Sequence, residues 1–203
     1  MYKVFGDMLS GNCYKIKLLM EFLGLDHEWV HVDILAGTTR TAEFLRMNPN
    51  ARIPVLELPD GNFLWESNAI LNYLAQDSRF LPQGRYQRAQ VLQWQFFEQY
   101  SHEPYIAIAR YIRKYLGLPA DREAEYHARQ PGGHKALALM EAHLADNDFF
   151  VDAGPTVADI SLYAYTHVAP EGGFELSGYP NIRAWLSRIE QLPGYVTMSV
   201  ENG

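Results

Sequence analysis

Three short stretches carry side chains whose types and spacing could do chemistry. Leu9-Ser10-Gly11-Asn12-Cys13-Tyr14-Lys15 lies where a strand-like run gives way to a helical pattern. A strand-to-helix turn aims backbone N–H groups and the positive end of the helix dipole at whatever occupies it, which makes it an anion site by construction. Ser10 there either caps the helix or turns its hydroxyl toward an external anion, with Asn12 adding an amide donor. Arg52-Ile53-Pro54-Val55 places a proline at the start of a strand, where the sheet interior normally excludes it. A trans proline at the first strand residue is one reading. The other is a cis Ile53-Pro54 bond, which would leave the N–H and C=O of Ile53 to pair with an extended peptide ligand. Trp65-Glu66-Ser67-Asn68 precedes a helical run. Ser67 and the helix N–H groups suit a carboxylate and Glu66 an ammonium, the two ends of an α-amino acid, although Glu-Ser before a helix is also ordinary capping.

Other patterns lead away from chemistry. His27-Glu28-Trp29-Val30-His31 matches H-E-x-x-H by letter, but zinc needs both imidazoles one helical turn apart, about 6 Å. Trp29 to Ile34 alternates like a strand, and four residues of strand span roughly 13 Å. No metal site is expected there, nor from the scattered His102, His127, His134, His143 and His167. No G-x-G-x-x-G, Walker or G-x-S-x-G motif occurs, so nucleotide binding and serine hydrolysis lack a local signature. Thr156-Val-Ala-Asp159 has the form of a capping box that nucleates the apolar helix after it.

The elements that must position these residues divide the chain in two. Up to about Ser78, strand runs alternate with helices. Lys3 to Phe5 lead into a helix carrying Ile16, Leu19, Met20 and Leu23 and ending at Gly24, and an alternating strand follows. Ile53 to Leu58 and Asn62 to Trp65 flank Pro59-Asp60-Gly61, a hairpin signal, and a helix runs from about Asn68 to Gln76. Ser78 to Arg85, with Pro82 and Gly84, reads as a linker, and the rest is helical in period. Gln130-Pro131-Gly132-Gly133 and Glu171-Gly172-Gly173 read as loops within it. The expected domains are 1–78, a linker at 79–85, and an all-helical 86–203.

Composition narrows the function. The 203 residues include 17 Lys and Arg against 24 Asp and Glu, a net charge of −7, which disfavours a nucleic-acid partner. A single cysteine, Cys13, excludes an internal disulfide framework and a Cys-rich zinc site and fits a reducing cytoplasm. Asp7 interrupts any signal-peptide core, and no apolar run reaches the length of a membrane span.

Taken in order, these features resemble the cytosolic glutathione transferases, and the resemblance covers essentially the whole chain. It rests on Asn48-Pro49-Asn50-Ala51-Arg52-Ile53-Pro54, on Glu66-Ser67-Asn68-Ala69-Ile70 with Tyr73-Leu74, and on Thr156-Val-Ala-Asp159-Ile-Ser-Leu, in that order and spacing. The resemblance implies a thioredoxin-like N-terminal domain, a helical C-terminal domain, a homodimer and a detoxifying transferase. Glutathione would be the co-substrate, and no metal is implied. The Ile53 backbone beside Pro54 would pair with the cysteinyl part of glutathione. Glu66 and Ser67 would hold its γ-glutamyl end, and Arg52 or, more loosely, Arg40 its glycyl carboxylate. Ser10 is similar to the thiolate-stabilising serine of the serine-type classes, and Asn12 with Lys15 matches bacterial classes that use an asparagine. No tyrosine stands at the tyrosine-type position. A pocket between the domains, lined by Leu9, Tyr100, His102, Tyr105 and Tyr111, would take a small hydrophobic electrophile.

The energetics are sufficient. A free cysteine-like thiol titrates near 8.5, and lowering it by about two units needs roughly 2.7 kcal/mol. A hydrogen bond to a charged group contributes about 1.5–3 kcal/mol, and a helix N-terminus about 0.3–1 kcal/mol. The ionised sulfur would then attack an electrophilic carbon. Because Ser10-Gly-Asn-Cys13 occupies the place of C-x-x-C in redox relatives, glutathione-dependent disulfide or hydroperoxide reduction is the alternative activity. A non-catalytic assembly or regulatory domain is the remaining one.

Overall fold

The computed structural model describes residues 1–199, and they part into two compact units. The first comprises Met1–Ser78 with the segment from Pro193 onward, and the second comprises Arg79–Leu192.

The first unit is built on a four-stranded mixed sheet of order β2-β1-β3-β4. Strands β1 (Tyr2–Gly6) and β2 (His27–His31) run parallel, so a crossover must join them, and α1 (Gly11–Leu23) supplies it. Gly24 ends α1 in the left-handed region at φ 63°, where the missing Cβ costs nothing. The strand predicted to reach Ile34 stops at His31, although the Val32 N–H still donates to the Gly6 carbonyl at 3.0 Å. The short helix α2 (Ala42–Met47) starts on Thr41, whose hydroxyl accepts the Phe44 N–H. Strands β3 (Val55–Glu57) and β4 (Phe63–Trp65) form the expected hairpin, turning through Gly61 at φ 85°. Helix α3 (Ser67–Leu74) closes the unit and packs on α1.

Alternation along the strands sorts the two faces of the sheet. Phe5 and Val55 pack with Phe44 and Met47 of α2. Val4 and Gly6 face α1, so closely that a methyl group on Gly6 would come within 2.7 Å of the Cys13 sulfur. This is a thioredoxin-like arrangement.

The second unit is helical: α4 (Arg85–Phe97), α5 (Glu103–Arg110), α6 (Glu123–Leu144), α7 (Val157–Thr166) and α8 (Pro180–Glu190), with π-helical turns at Glu98–His102 and Tyr111–Tyr115. Its centre is α7, every residue of which is buried. The capping box is present: Thr156 Oγ1 accepts the Ala158 N–H at 3.2 Å, and Asp159 Oδ2 accepts the Thr156 N–H at 2.9 Å. The other carboxylate oxygen of Asp159 accepts the Phe150 N–H and Trp185 Nε1–H, each at 3.1 Å, so one buried side chain ties α7 to the preceding loop and to α8.

The predicted loop Gln130-Pro131-Gly132-Gly133 is instead the middle of α6. Neighbouring packing overrides the local breaker signal. A Cβ on Gly132 would collide with the Tyr105 ring and one on Gly133 with the Phe174 ring, so these glycines are contact surfaces for aromatic side chains. The expected loop at Glu171 is mostly a 3₁₀ turn, Ala169–Gly172, anchored by Glu171 to buried Arg110 and to Lys114. No helix among the described residues is long and apolar enough to cross a membrane.

Candidate functional site

The turn between β1 and α1 is shaped by Asp7. Its carboxylate accepts the Leu9 N–H at 2.9 Å and its carbonyl the Ser10 N–H at 3.0 Å, which brings Ser10 to the N-cap of α1 in extended conformation. The Ser10 side chain makes no capping hydrogen bond; it bonds the Cys13 thiol one turn on. Burial pushes that thiol up to about 12, against the smaller opposing effects of Ser10 and of the Asp7 backbone N–H. Cys13 therefore keeps its proton at neutral pH and is no nucleophile there.

The next constellation joins α1 to α3. Asn12 Oδ1 accepts from Lys15 Nζ at 2.8 Å and from Ser67 Oγ at 3.1 Å, and Lys15 Nζ also donates to Ser67 Oγ at 3.3 Å. Both donors converge on the carboxamide oxygen, so the amide is oriented with Nδ2–H₂ on its other side. Lys15 is 0% exposed and Ser67 5%. In the sequence Lys15 belongs to a motif match without a role of its own. Its only signal in the chain is position: Cys13 through Met20 are all buried, so Lys15 is a cation set into a core-facing stretch of α1.

Glu66 precedes α3 with φ 70° and ψ 109°, a backbone region that a residue with a Cβ rarely adopts, and its side chain is exposed. The Ile53–Pro54 peptide bond is cis. Pro54 is buried, and Ile53 is partly buried against Val32, Phe44 and Val55, just before the first residue of β3. The loop before it is braced by buried Asn48, whose Nδ2 donates to the Arg52 carbonyl at 2.7 Å and whose Oδ1 accepts the Asn50 N–H at 2.9 Å. Arg52 and Arg40 are exposed, the latter closing a 3₁₀ turn, Thr38–Arg40. Within this unit the structure thus joins Asn12 and Ser67 directly, while Arg40, Arg52 and Glu66 stand on exposed stretches.

Leu9, Tyr105 and Tyr111 are each partly exposed. Tyr105 packs on Gly132, and the Tyr111 ring lies 5.6 Å from that of Tyr115. Tyr100 is 77% exposed. His102 differs from expectation: it is fully buried, with Nε2 2.9 Å from the Thr166 hydroxyl of α7, a contact that fixes it inside the helical unit instead of offering it to a small molecule. His27 and His31 lie at the two ends of β2, so strand spacing keeps them apart.

Comparison with known proteins gives a consistent result. Residues 1–76 match the family described as Glutathione S-transferase, N-terminal domain, and residues 94–193 match Glutathione S-transferase, C-terminal domain. A crystal structure of glutathione S-transferase from Pseudomonas fluorescens Pf-5 is 59% identical, with TM-score 0.96, covering 97% of this chain and 98% of that one. Glutathione S-transferase 3 of Zea mays is 30% identical over 207 residues, covering 95% of this chain and 90% of its own. The glutathione transferase URE2P6 from Phanerochaete chrysosporium, in complex with oxidized glutathione, is 26% identical with TM-score 0.84, covering 95% and 92%.

Proposed function

The chain belongs to the glutathione S-transferase family, and from that premise we propose that it ionises the thiol of bound glutathione and conjugates the sulfur to a small hydrophobic electrophile. The observation that carries this reading is Ser10. It sits at the N-cap of a thirteen-residue helix, and its hydroxyl bonds none of that helix's N–H groups, so hydroxyl and helix N-terminus can converge on a bound anion. Ser10 Oγ–H and Asn12 Nδ2–H donate to the sulfur, the Ile53 backbone pairs with the cysteinyl part beside Pro54, and Ser67 and Glu66 hold the γ-glutamyl carboxylate and ammonium. Arg52 and Arg40 serve the glycyl end. The sulfur lone pair attacks the electrophilic carbon, the leaving group departs with its bonding electrons, and the thiol proton is released to solvent.

For the electrophile we assign Leu9, Tyr100, Tyr105 and Tyr111. The working domains are 1–78 for glutathione and, after a linker at 79–85, a helical domain; the working state is a cytoplasmic homodimer. What supports the dimer is exposed aromatic surface on each unit: Phe63, Trp65 and Tyr73 on the first, and Tyr86, Phe96 and Tyr100 along one face of α4 and the turn after it on the second.

Turnover of a chromogenic haloarene by Ser10→Ala and Asn12→Ala tests the reading. A fall of about tenfold or more in kcat/KM for at least one is expected from losing a hydrogen bond to a charged group, and unchanged turnover in both would overturn it. A second reading, reduction of a glutathione mixed disulfide, is favoured by the oxidized glutathione bound in the Phanerochaete relative. Glutathione's own thiolate would attack the mixed disulfide, expelling the partner thiolate and leaving glutathione disulfide. Cys13, buried and protonated, takes no part, so that activity should survive Cys13→Ala.

A further inference from the structure

We infer that Lys15 is a positioning residue for the sulfur site, fixing the Asn12 carboxamide by its oxygen and freeing the Ser67 proton for the ligand's carboxylate. The inference rests on glutathione binding as proposed above and adds to it a residue and a division of labour.

Three contacts close a triangle: Lys15 Nζ to Asn12 Oδ1 at 2.8 Å, Lys15 Nζ to Ser67 Oγ at 3.3 Å, and Ser67 Oγ to Asn12 Oδ1 at 3.1 Å. The bonding capacities of its members are unequal. A serine hydroxyl has one proton, which here goes to Asn12, so Ser67 cannot also donate to a carboxylate without letting Asn12 go. An ammonium has three protons. Lys15 can therefore keep Asn12 Oδ1 when Ser67 turns away, and it donates to Ser67 Oγ in either state because that oxygen retains lone pairs for it.

Two consequences follow. Turning the Asn12 amide around would set its NH₂ against an ammonium, so Lys15 locks Nδ2–H₂ as the side offered to sulfur. The γ-glutamyl carboxylate and the sulfur also become linked, since both are served by groups that touch one buried charge.

Packing alone gives no reason for a lysine here. Around it on α1, Ile16, Leu18 and Leu19 are apolar and 0% exposed, with Lys17 at 6% the helix's other buried lysine, and a buried ammonium is costly unless hydrogen-bonded. A residue of that cost in a core-facing stretch, with its head on two proposed ligand-binding side chains, is explained by what it holds in place.

The test compares wild type, Lys15→Met, Asn12→Ala and the double variant by ultraviolet titration of the bound glutathione thiol, calorimetry with glutathione, and haloarene kinetics. Lys15→Met is expected to raise the bound thiol pKa by about one unit, to weaken glutathione binding about tenfold, and to lower kcat as well as raise KM. The double variant should have the same thiol pKa as Asn12→Ala, because Lys15 acts on the sulfur through Asn12. If Lys15→Met does not fold by circular dichroism, Lys15→Gln, which keeps one donor without the charge, is expected to give a smaller shift in the same direction. A thiol pKa in the folded Lys15 variant equal to that of wild type, or additive shifts in the double variant, would overturn the inference while leaving the proposed function standing. A wild type that binds no glutathione overturns both.

Discussion

Ser10 and Cys13 stand three residues apart like a redox pair, yet their environments give them opposite parts. Burial holds the Cys13 thiol near 12, so a thiol-alkylating reagent at neutral pH should leave the native protein unmodified and react fully only on denaturation. Cys13→Ala should keep haloarene turnover within about twofold, since it loses packing against Gly6 and a bond to the Ser10 hydroxyl that a bound sulfur can replace. Glu66 offers a second prediction. Its φ of 70° is sterically unfavourable for any residue with a Cβ, so Glu66→Gly should raise thermal stability slightly, by up to about 1 kcal/mol, while weakening glutathione binding severalfold in calorimetry. A loss of both stability and affinity would contradict a trade of strain for ligand contact. Motif and position single out Ser10, Asn12, Glu66 and Ser67 as candidates in the sequence alone. The Asn12–Lys15–Ser67 triangle is not legible there, because two of its three bonds reach from α1 to residue 67, a separation no local pattern encodes.

The helices show why some elements read easily and others did not. Helix α7 is legible from Thr156 and Asp159, whose capping is local chemistry three residues apart, whereas α6 is hidden behind Pro131, Gly132 and Gly133 because the reason its glycines persist lies on Tyr105 and Phe174, far along the chain. Asp159→Asn should destabilise the protein by about 3 kcal/mol in urea, since an amide NH₂ would face donors from Phe150, Thr156 or Trp185. These buried groups also set a pH dependence. Burial lowers His167 from 6.5 to about 4, so between those values the unfolded chain binds a proton that the native one does not, and stability falls as pH drops through that window. Burial raises Asp159 from 3.8 to about 6, so its native state holds the extra proton and stability falls as pH rises through nearly the same window. The two slopes oppose one another. Relative to wild type, His167→Gln should lose stability as pH rises from 4 to 6.5 and Asp159→Asn should gain it, each difference reaching at most about 3 kcal/mol across the window. Equal slopes in all three proteins would contradict the assignments.

For the molecule as a whole, two compact units of different class were legible because hydrophobic period changes from alternating to helical along the chain. The aromatic face of α4 was not, since tyrosines at helical spacing read equally well as core until exposure distinguishes them. If that face meets a second copy, the protein should sediment as two chains and Phe96→Glu as one, with glutathione still bound; a wild-type monomer would contradict the dimer. Above all, the transferase chemistry depends on an ionised sulfur at neutral pH. Ultraviolet titration of glutathione bound to the wild-type protein measures this directly. The expected result is a bound thiol titrating about two units below the free value near 8.5, returning toward it when Ser10 and Asn12 are both replaced by alanine. A bound thiol that titrates as it does in free solution would contradict the mechanism.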